Sequence, residues 1–295
     1  MKQILRVVLV LFVLVSIFAS AFINGSYAAA DTSSAGGPNM GAGPMPPLTP
    51  EQKAVRNKKE ADFQKWLSIQ PKDINPLDIP SATNQNGISP LSIESGYIAI
   101  PLRIQEKTYW CGPASAQEVL DYDWGYVYWY AQSKYSQYDL SIDMLTDLTG
   151  TDVSMLTDTL NEYKKSPNFN WISYPISSDE TTAADTIYSF QKYDVSNYEG
   201  MIYHTVTYPY YGFDSWGERY GLIGYFNPST TTEFYNYGHY VAGYGYSQDS
   251  SGRHKVSYLD SYQQNFGWGA TQGAHSVDTR NMATCVIYNA QYVIY

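Results

Sequence analysis

The stretch QEKTYWCGPAS, residues 105–115, holds one of only two cysteines in a 295-residue chain. Cys111 is followed by Gly-Pro, and the fixed φ of Pro113 suits the first turn of a helix. A thiol at a helix N-terminus lies beside unpaired backbone N–H groups and the positive end of the macrodipole, which favour a negative charge by up to about 1 kcal/mol. The thiolate is the attacking form of cysteine. Gln105, on the loop before the helix, carries a neutral amide donor; with the Cys111 backbone N–H it suits an oxyanion hole. Gly112 adds no side chain, which leaves room for substrate to approach. The competing reading makes Cys111 a buried thiol or half of a disulfide with Cys285, the other cysteine, and leaves Gln105 a coincidence.

A cysteine nucleophile also needs a base that returns a proton to the leaving amine. The histidines are His204, His239, His254 and His275. His239 heads the alternating run GHYVAGYGY, a strand pattern, which passes through the turn signal DSSG into HKVSYLD. With a loop over 247–252, Tyr246 pairs with Arg253 and His239 with Asp260. Opposed residues share a face with Cβ atoms about 5 Å apart, so Asp260 can hold the imidazole and fix its tautomer. A register slip of two keeps the pair on one face; a slip of one separates it. Asp278 and Asn265 are rivals for that role. His204, His254 and His275 read as surface or packing residues. Cys285, within the strand-like TCVIY, reads as a small core residue. The chain has no CxxC, HExxH or clustered ligands for zinc, and DSSG (249–252) lacks the alternating acids and final Glu of a calcium loop. Phe266-Gly-Trp-Gly269 reads as a turn.

The elements that must position these groups follow from periodicity. Residues 96–102 read as a short strand and 105–110 as a loop. A helix runs from Cys111 and closes at Trp124-Gly125. Amphipathic segments follow at 141–148 and 153–163, separated by the turn Thr149-Gly150-Thr151, and a further helix at 181–190. After Tyr198 the period shifts from 3.6 towards 2, with strands at 201–208, 240–246, 254–259, 285–288 and 291–295. Helices followed by strands predict an α+β domain with segregated halves.

The first thirty residues have a basic start, an apolar run over 7–22 and small residues at 28–30. They read as a signal peptide, removed on export; the run is shorter than the roughly 20 residues of a spanning helix. Residues 31–50 are a flexible Gly/Pro-rich linker. Residues 51–94 form a charged helical arm, opened by Thr49-Pro50-Glu51 and followed by loop, that reads as a stalk, a strap or a propeptide over the cleft. Residues 95–295 are the remaining domain. Lys and Arg total 18 against 28 Asp and Glu, which argues against a nucleic-acid groove or an anionic membrane surface. The thirty tyrosines fit half-wet sheet faces, or a binding surface for peptide or sugar.

The run IPLRIQEKTYWCGPASAQEVLDY, then TDLTGTDVSMLTDTLNEY, YGHYVAGYGY and VSYLD resembles the C39-like cysteine peptidases of the papain-like superfamily, from about Tyr97 onward. The resemblance implies a papain-like fold with Cys111 as nucleophile, His239 as base, Asp260 as orienting acid and Gln105 as oxyanion donor, no metal or other cofactor, and a peptide or protein substrate. The family's Asp is usually followed by Pro, where this chain has Ser261. The chain has neither a second membrane segment nor a P-loop, so the leader-cleaving role of transporter-borne members is not implied. The expected function is a secreted cysteine peptidase. The alternatives are an inactive peptide- or cell-wall-binding module on the same scaffold, and a transpeptidase that passes the acyl group to an amine.

Overall fold

The chain order in the computed structural model is α1 (Pro50–Ile69), β1 (Glu94–Tyr97), α2 (Cys111–Trp124), α3 (Gln137–Asp143), α4 (Val153–Tyr163), β2 (Ser173–Pro175), α5 (Glu180–Ser196), β3 (Met201–Val206), β4 (Gly238–Gln248), β5 (His254–Asp260), β6 (Gly273–Asp278), α6 (Thr279–Ile287) and β7 (Tyr292–Ile294). The structure describes residues 47–70, 94–128, 132–167, 169–208, 220–225, 237–262, 271–289 and 291–295. These lie within one unit, Gly36–Tyr295. The predicted signal peptide, the linker up to residue 46, the end of the arm, Asn265 and Phe266–Gly269 fall outside the described residues.

The sheet runs β2-β7-β3-β4-β5-β6, with β1 paired to β4. Every paired neighbour is antiparallel. This is the α+β class with an antiparallel sheet. β4 is the spine. Its first half pairs with β3, its second half with β1, and β5 runs along its other edge. One face buries Tyr240, Ala242 and Ile202 against Ala116, Val119 and Leu120 of α2 and Leu156 and Leu160 of α4. The other buries Tyr203, Val241, Val256 and Tyr258 against Ile187 and Phe190 of α5 and Met282 and Val286 of α6. Alternation along the strands therefore feeds two helical layers, and both faces are apolar. Among the described residues, no helix is long and apolar enough to cross a membrane.

Several expectations need correction. The β-branched run around Cys285 is helical, not a strand: α6 starts on Asp278, whose side chain accepts from Arg280 N, and Met282, Ala283, Cys285 and Val286 are buried at helical spacing. A short apolar run fits either period, and the cap decided it. β6 was not anticipated, because the only hydrophobic residue at its buried end is Val277. The helix expected over 141–148 begins earlier, where the Ser136 side chain accepts from Asp139 N, and ends at Asp143. α5 continues to Ser196, and the first strand covers only Glu94–Tyr97. With α6 lying between β6 and β7, the helical and strand halves are not cleanly segregated in sequence.

α1 has the expected start. Thr49 and Gln52 form a reciprocal capping box, with Pro50 at the first turn. It docks through Phe63, which meets Phe190 and Tyr193 edge-on at 4.8 and 5.5 Å, and through Lys59. Cavities of about 410 and 190 Å³ flank this helix; neither is lined by Gln105, Cys111, His239 or Asp260.

Candidate active site

Cys111 opens α2, and Trp110 before it makes no side-chain cap. The first intrahelical bond is Ala114 N to Trp110 O at 2.9 Å, so the N–H groups of the first turn are not taken by a capping side chain. Pro113 occupies the first turn, where its missing N–H costs nothing. Gly112 is buried, and a Cβ there would lie 2.4 Å from Thr151 Oγ1. The expectation that Gly112 makes room for substrate is therefore corrected: its bare backbone makes room for the turn before α4. That turn is held from the sheet side, where the Tyr240 hydroxyl donates to Thr151 O at 2.8 Å.

The segment before α2 is fixed to it by Arg103. Its backbone N–H donates to Glu118 Oε1 at 2.9 Å, its Nε donates to Asp121 Oδ2 at 2.6 Å, and a guanidinium N–H reaches Tyr126 O. Glu118 is fully buried; desolvation pushes its carboxyl well above the usual range, against the Arg103 N–H. Two residues on, Gln105 is 5% exposed. Its backbone N–H donates to Ser261 O at 2.9 Å, and its side-chain Nε2 donates to Lys107 O at 2.6 Å. One N–H of the amide is thus committed locally, and a second remains. Its Oε1 is buried without a hydrogen-bond partner.

His239 and Asp260 meet, but not by direct opposition. The hairpin closes with Gln248 opposite His254 and Tyr246 opposite Val256. Continued unbroken, that register would set Asp260 opposite Ala242, three residues from His239 and on the wrong face. A bulge between Gly243 and Gly245 shifts the ladder by one residue, so that Ala242 faces Leu259. Asp260 then falls opposite Val241, two residues from His239, and the two side chains share a face as diagonal neighbours. The net slip from the expected register is two. The bulge restores the parity, and the glycine beside it is required: a Cβ on Gly243 would lie 2.2 Å from Gln191 Oε1.

His239 Nε2 lies 3.0 Å from Asp260 Oδ1. The Cys111 sulfur acts on the same ring and favours its protonated form. Cys111, His239 and Asp260 are 0, 4 and 0% exposed. Burial works against a charged ring, yet the Asp260 carboxylate, its hydrogen bond and the sulfur outweigh it and hold His239 up to about 10. The structure thus brings Cys111, His239 and Asp260 together at the sheet rim, where β4 begins and β5 ends. Gln105 joins this group through Ser261, the neighbour of Asp260. Asp278, the rival acid, is elsewhere: it caps α6 and receives Arg253 Nε at 2.6 Å. His204 stacks on Tyr240 and His254 on Tyr188, ring centroids 4.2 and 3.9 Å apart. His275 Nε2 is 2.7 Å from Thr271 O. Asp249 organises the hairpin turn, accepting from the N–H groups of Ser251 and Arg253. Both cysteines are free, so the Cys111–Cys285 disulfide is not formed. Cys285 is buried in α6, which pushes its thiol far up.

One neighbour of the site carried no signal in the sequence. The Tyr225 hydroxyl lies 3.3 Å from His239 Nε2.

No protein-family model matches this chain, and no curated protein matches it. Solved structures do. The peptidase domain of Streptococcus ComA, a bi-functional ABC transporter involved in a quorum-sensing pathway, is 15% identical at a TM-score of 0.37, covering 66% of this chain and 96% of its own. The proform of the ragweed pollen allergen Amb a 11, a cysteine protease, is 10% identical at 0.40, covering 85% and 88%. Bromelain from Ananas comosus, in complex with the inhibitor E64, is 12% identical at 0.36, covering 67% and 93%. Likenesses this distant do not assign an activity.

Proposed function

We propose that this protein is a thiol hydrolase of the papain-like, C39-like kind that cleaves a peptide-type bond. The observation that carries the reading is one imidazole shared between the Cys111 sulfur and the Asp260 carboxylate, at a helix N-terminus without a side-chain cap. In this reading His239, as base, already holds the Cys111 proton in the resting enzyme, and the sulfur attacks the carbonyl carbon as the thiolate. The oxyanion is held by the Cys111 backbone N–H and the second amide N–H of Gln105. His239 then gives its proton to the leaving amine as the C–N bond breaks, which leaves a thioester on Cys111. Water attacks that thioester, passing a proton to His239; the acid departs and leaves the sulfur as thiolate beside the protonated ring. Asp260 keeps the ring in the required tautomer and balances its charge. Residues 1–30 would direct export and be removed, placing the enzyme outside the cell.

The test is a mass-spectrometric survey of peptide-library cleavage by the wild type and by Cys111→Ala. Cleavage by the wild type and none by the variant is expected; equal cleavage by both would end the reading. The complete burial of Cys111 favours the second reading, an inert binding module. Peptide retained by the wild type without cleavage would support that reading.

A further inference from the structure

We propose that Tyr225 is a positioning residue of this site, its hydroxyl clamping the His239–Asp260 pair in the geometry that the imidazolium requires. The inference rests on the thiol-hydrolase reading and adds a member to its machinery.

Tyr225 is 1% exposed, and its place is built from both sides. Gly221 N donates to Asn281 Oδ1 at 2.7 Å, and Leu222 N donates to Thr207 O at 2.8 Å. A positive φ of 126° at Gly221, which glycine adopts without penalty, turns the chain toward the site. The Tyr225 ring lies parallel to that of Tyr262, 6.4 Å away and inclined by 9°. Tyr262 in turn meets the His239 ring edge-on at 6.1 Å, and its backbone N–H donates to Asp260 Oδ1 at 2.9 Å. The Tyr225 hydroxyl thus reaches a cage whose other walls are His239, Asp260 and Tyr262.

The roles follow from donor and acceptor counts. A phenol hydroxyl carries one proton and also accepts on its oxygen. Burial, followed by the Asp260 charge, pushes the phenol far above its usual range, so it keeps its proton. Its oxygen then faces His239 Nε2 at 3.3 Å, where it is a second acceptor for the Nε2–H that points at Asp260. A ring held by two acceptors on one nitrogen resists rotation about Cβ–Cγ. Rotation would change how the ring is presented to the Cys111 sulfur, which acts on it. The hydroxyl therefore favours the charged ring over the neutral one without touching substrate.

The test is the rate of Cys111 alkylation by iodoacetamide in the full-length protein at pH 5 and pH 9, for the wild type and Tyr225→Phe. Phe keeps the ring and its packing on Tyr262 and removes only the oxygen. Attack needs the thiolate, which at pH 5 depends on the charged imidazole as its partner. The expected result is that the ratio of the pH 5 rate to the pH 9 rate falls about tenfold in the variant, the size of one charge-assisted hydrogen bond. Circular dichroism checks that the variant folds. A pure packing role would lower the melting temperature and scale both rates alike. An unchanged ratio in Tyr225→Phe overturns the clamp while leaving the thiol-hydrolase reading intact. A wild-type Cys111 that iodoacetamide labels only after unfolding overturns both.

Discussion

His239 is the residue on which the proposed chemistry turns, and its environment sets a pH window. Its conjugate acid is held up to about 10, against an ordinary value near 6.5. A raised value means that the folded state binds the proton more tightly than the unfolded one. The stabilisation is therefore complete below about pH 6.5 and is lost as the pH rises through about 10. Activity that needs the imidazolium is expected to fall along the same alkaline limb, and a pH–rate profile would show it; a limb near 6.5 would contradict the ion pair. Asp260→Asn removes the charge and keeps the shape. It is expected to cost about 10- to 100-fold in kcat, the value of a hydrogen bond to a charged group. At this scale much was legible in the sequence: Cys111 before Gly-Pro, Gln105 before it, and His239 heading an alternating strand all carry local signals. Tyr225 was not, because it stands in a short segment without periodicity and its hydroxyl gains meaning only through tertiary contact with His239. The role first given to Gly112 was wrong for the same kind of reason. Its neighbour, Thr151, is 39 residues away.

Elements carry the precision that residues alone lack. The diagonal placing of His239 and Asp260 depends on a bulge at Tyr244 between two glycines, and a count back from a presumed turn could not include it. His239 and Asp260 share a face only because two changes, a shorter loop and the bulge, sum to an even slip. TCVIY reads equally as a strand, while the deciding signal, the Asp278 cap, lies six residues before it. Two substitutions test how the elements hold the site. Gly112→Ala drives a methyl into Thr151 and is expected to destabilise by about 1–3 kcal/mol, as overpacking does, measured by denaturant unfolding. Arg103→Ala strips a buried ion pair from Asp121, whose carboxyl also accepts from Lys134 N. Removing one partner of a buried pair costs about 3–5 kcal/mol. It should also loosen the loop that carries Gln105. Wild-type stability in either variant would show that α2 is not anchored as described.

At the scale of the whole molecule, a buried cation joins the Phe63 cluster in holding α1 to the rest of the fold. Lys59 of α1 lies 3.9 Å from Asp194 and 3.8 Å from Glu199, ion-pair rather than hydrogen-bond separations. Its Nζ donates to Asn170 O at 3.2 Å and sits over the rings of Phe169 and Tyr295. Burial pushes Asp194 up to about 7 and Glu199 up to about 8, with Lys59 pulling against it; Asp123 faces Glu199, and Lys164 faces Lys59. Carboxyls raised on folding stabilise in their protonated form, so this contribution is complete in acid and is lost as the pH rises through 7 to 8. The melting temperature is expected to fall between pH 6 and 8.5, and Asp194→Asn should flatten that slope; an unchanged slope would remove the carboxyls from the account. The sequence announced α1 through its capping box, but not where it docks, since its apolar stripe is thin and the partners of Lys59 lie more than a hundred residues on. The proposed chemistry rests on two unlike thiols, Cys111 acting on the His239 ring and Cys285 buried within α6. Alkylation of the folded protein at pH 6, read by intact mass and peptide mapping, tests that most directly. A single adduct at Cys111, lost in His239→Ala, with Cys285 labelled only after unfolding, is the predicted result. Labelling of Cys111 at the same rate without His239 would contradict it.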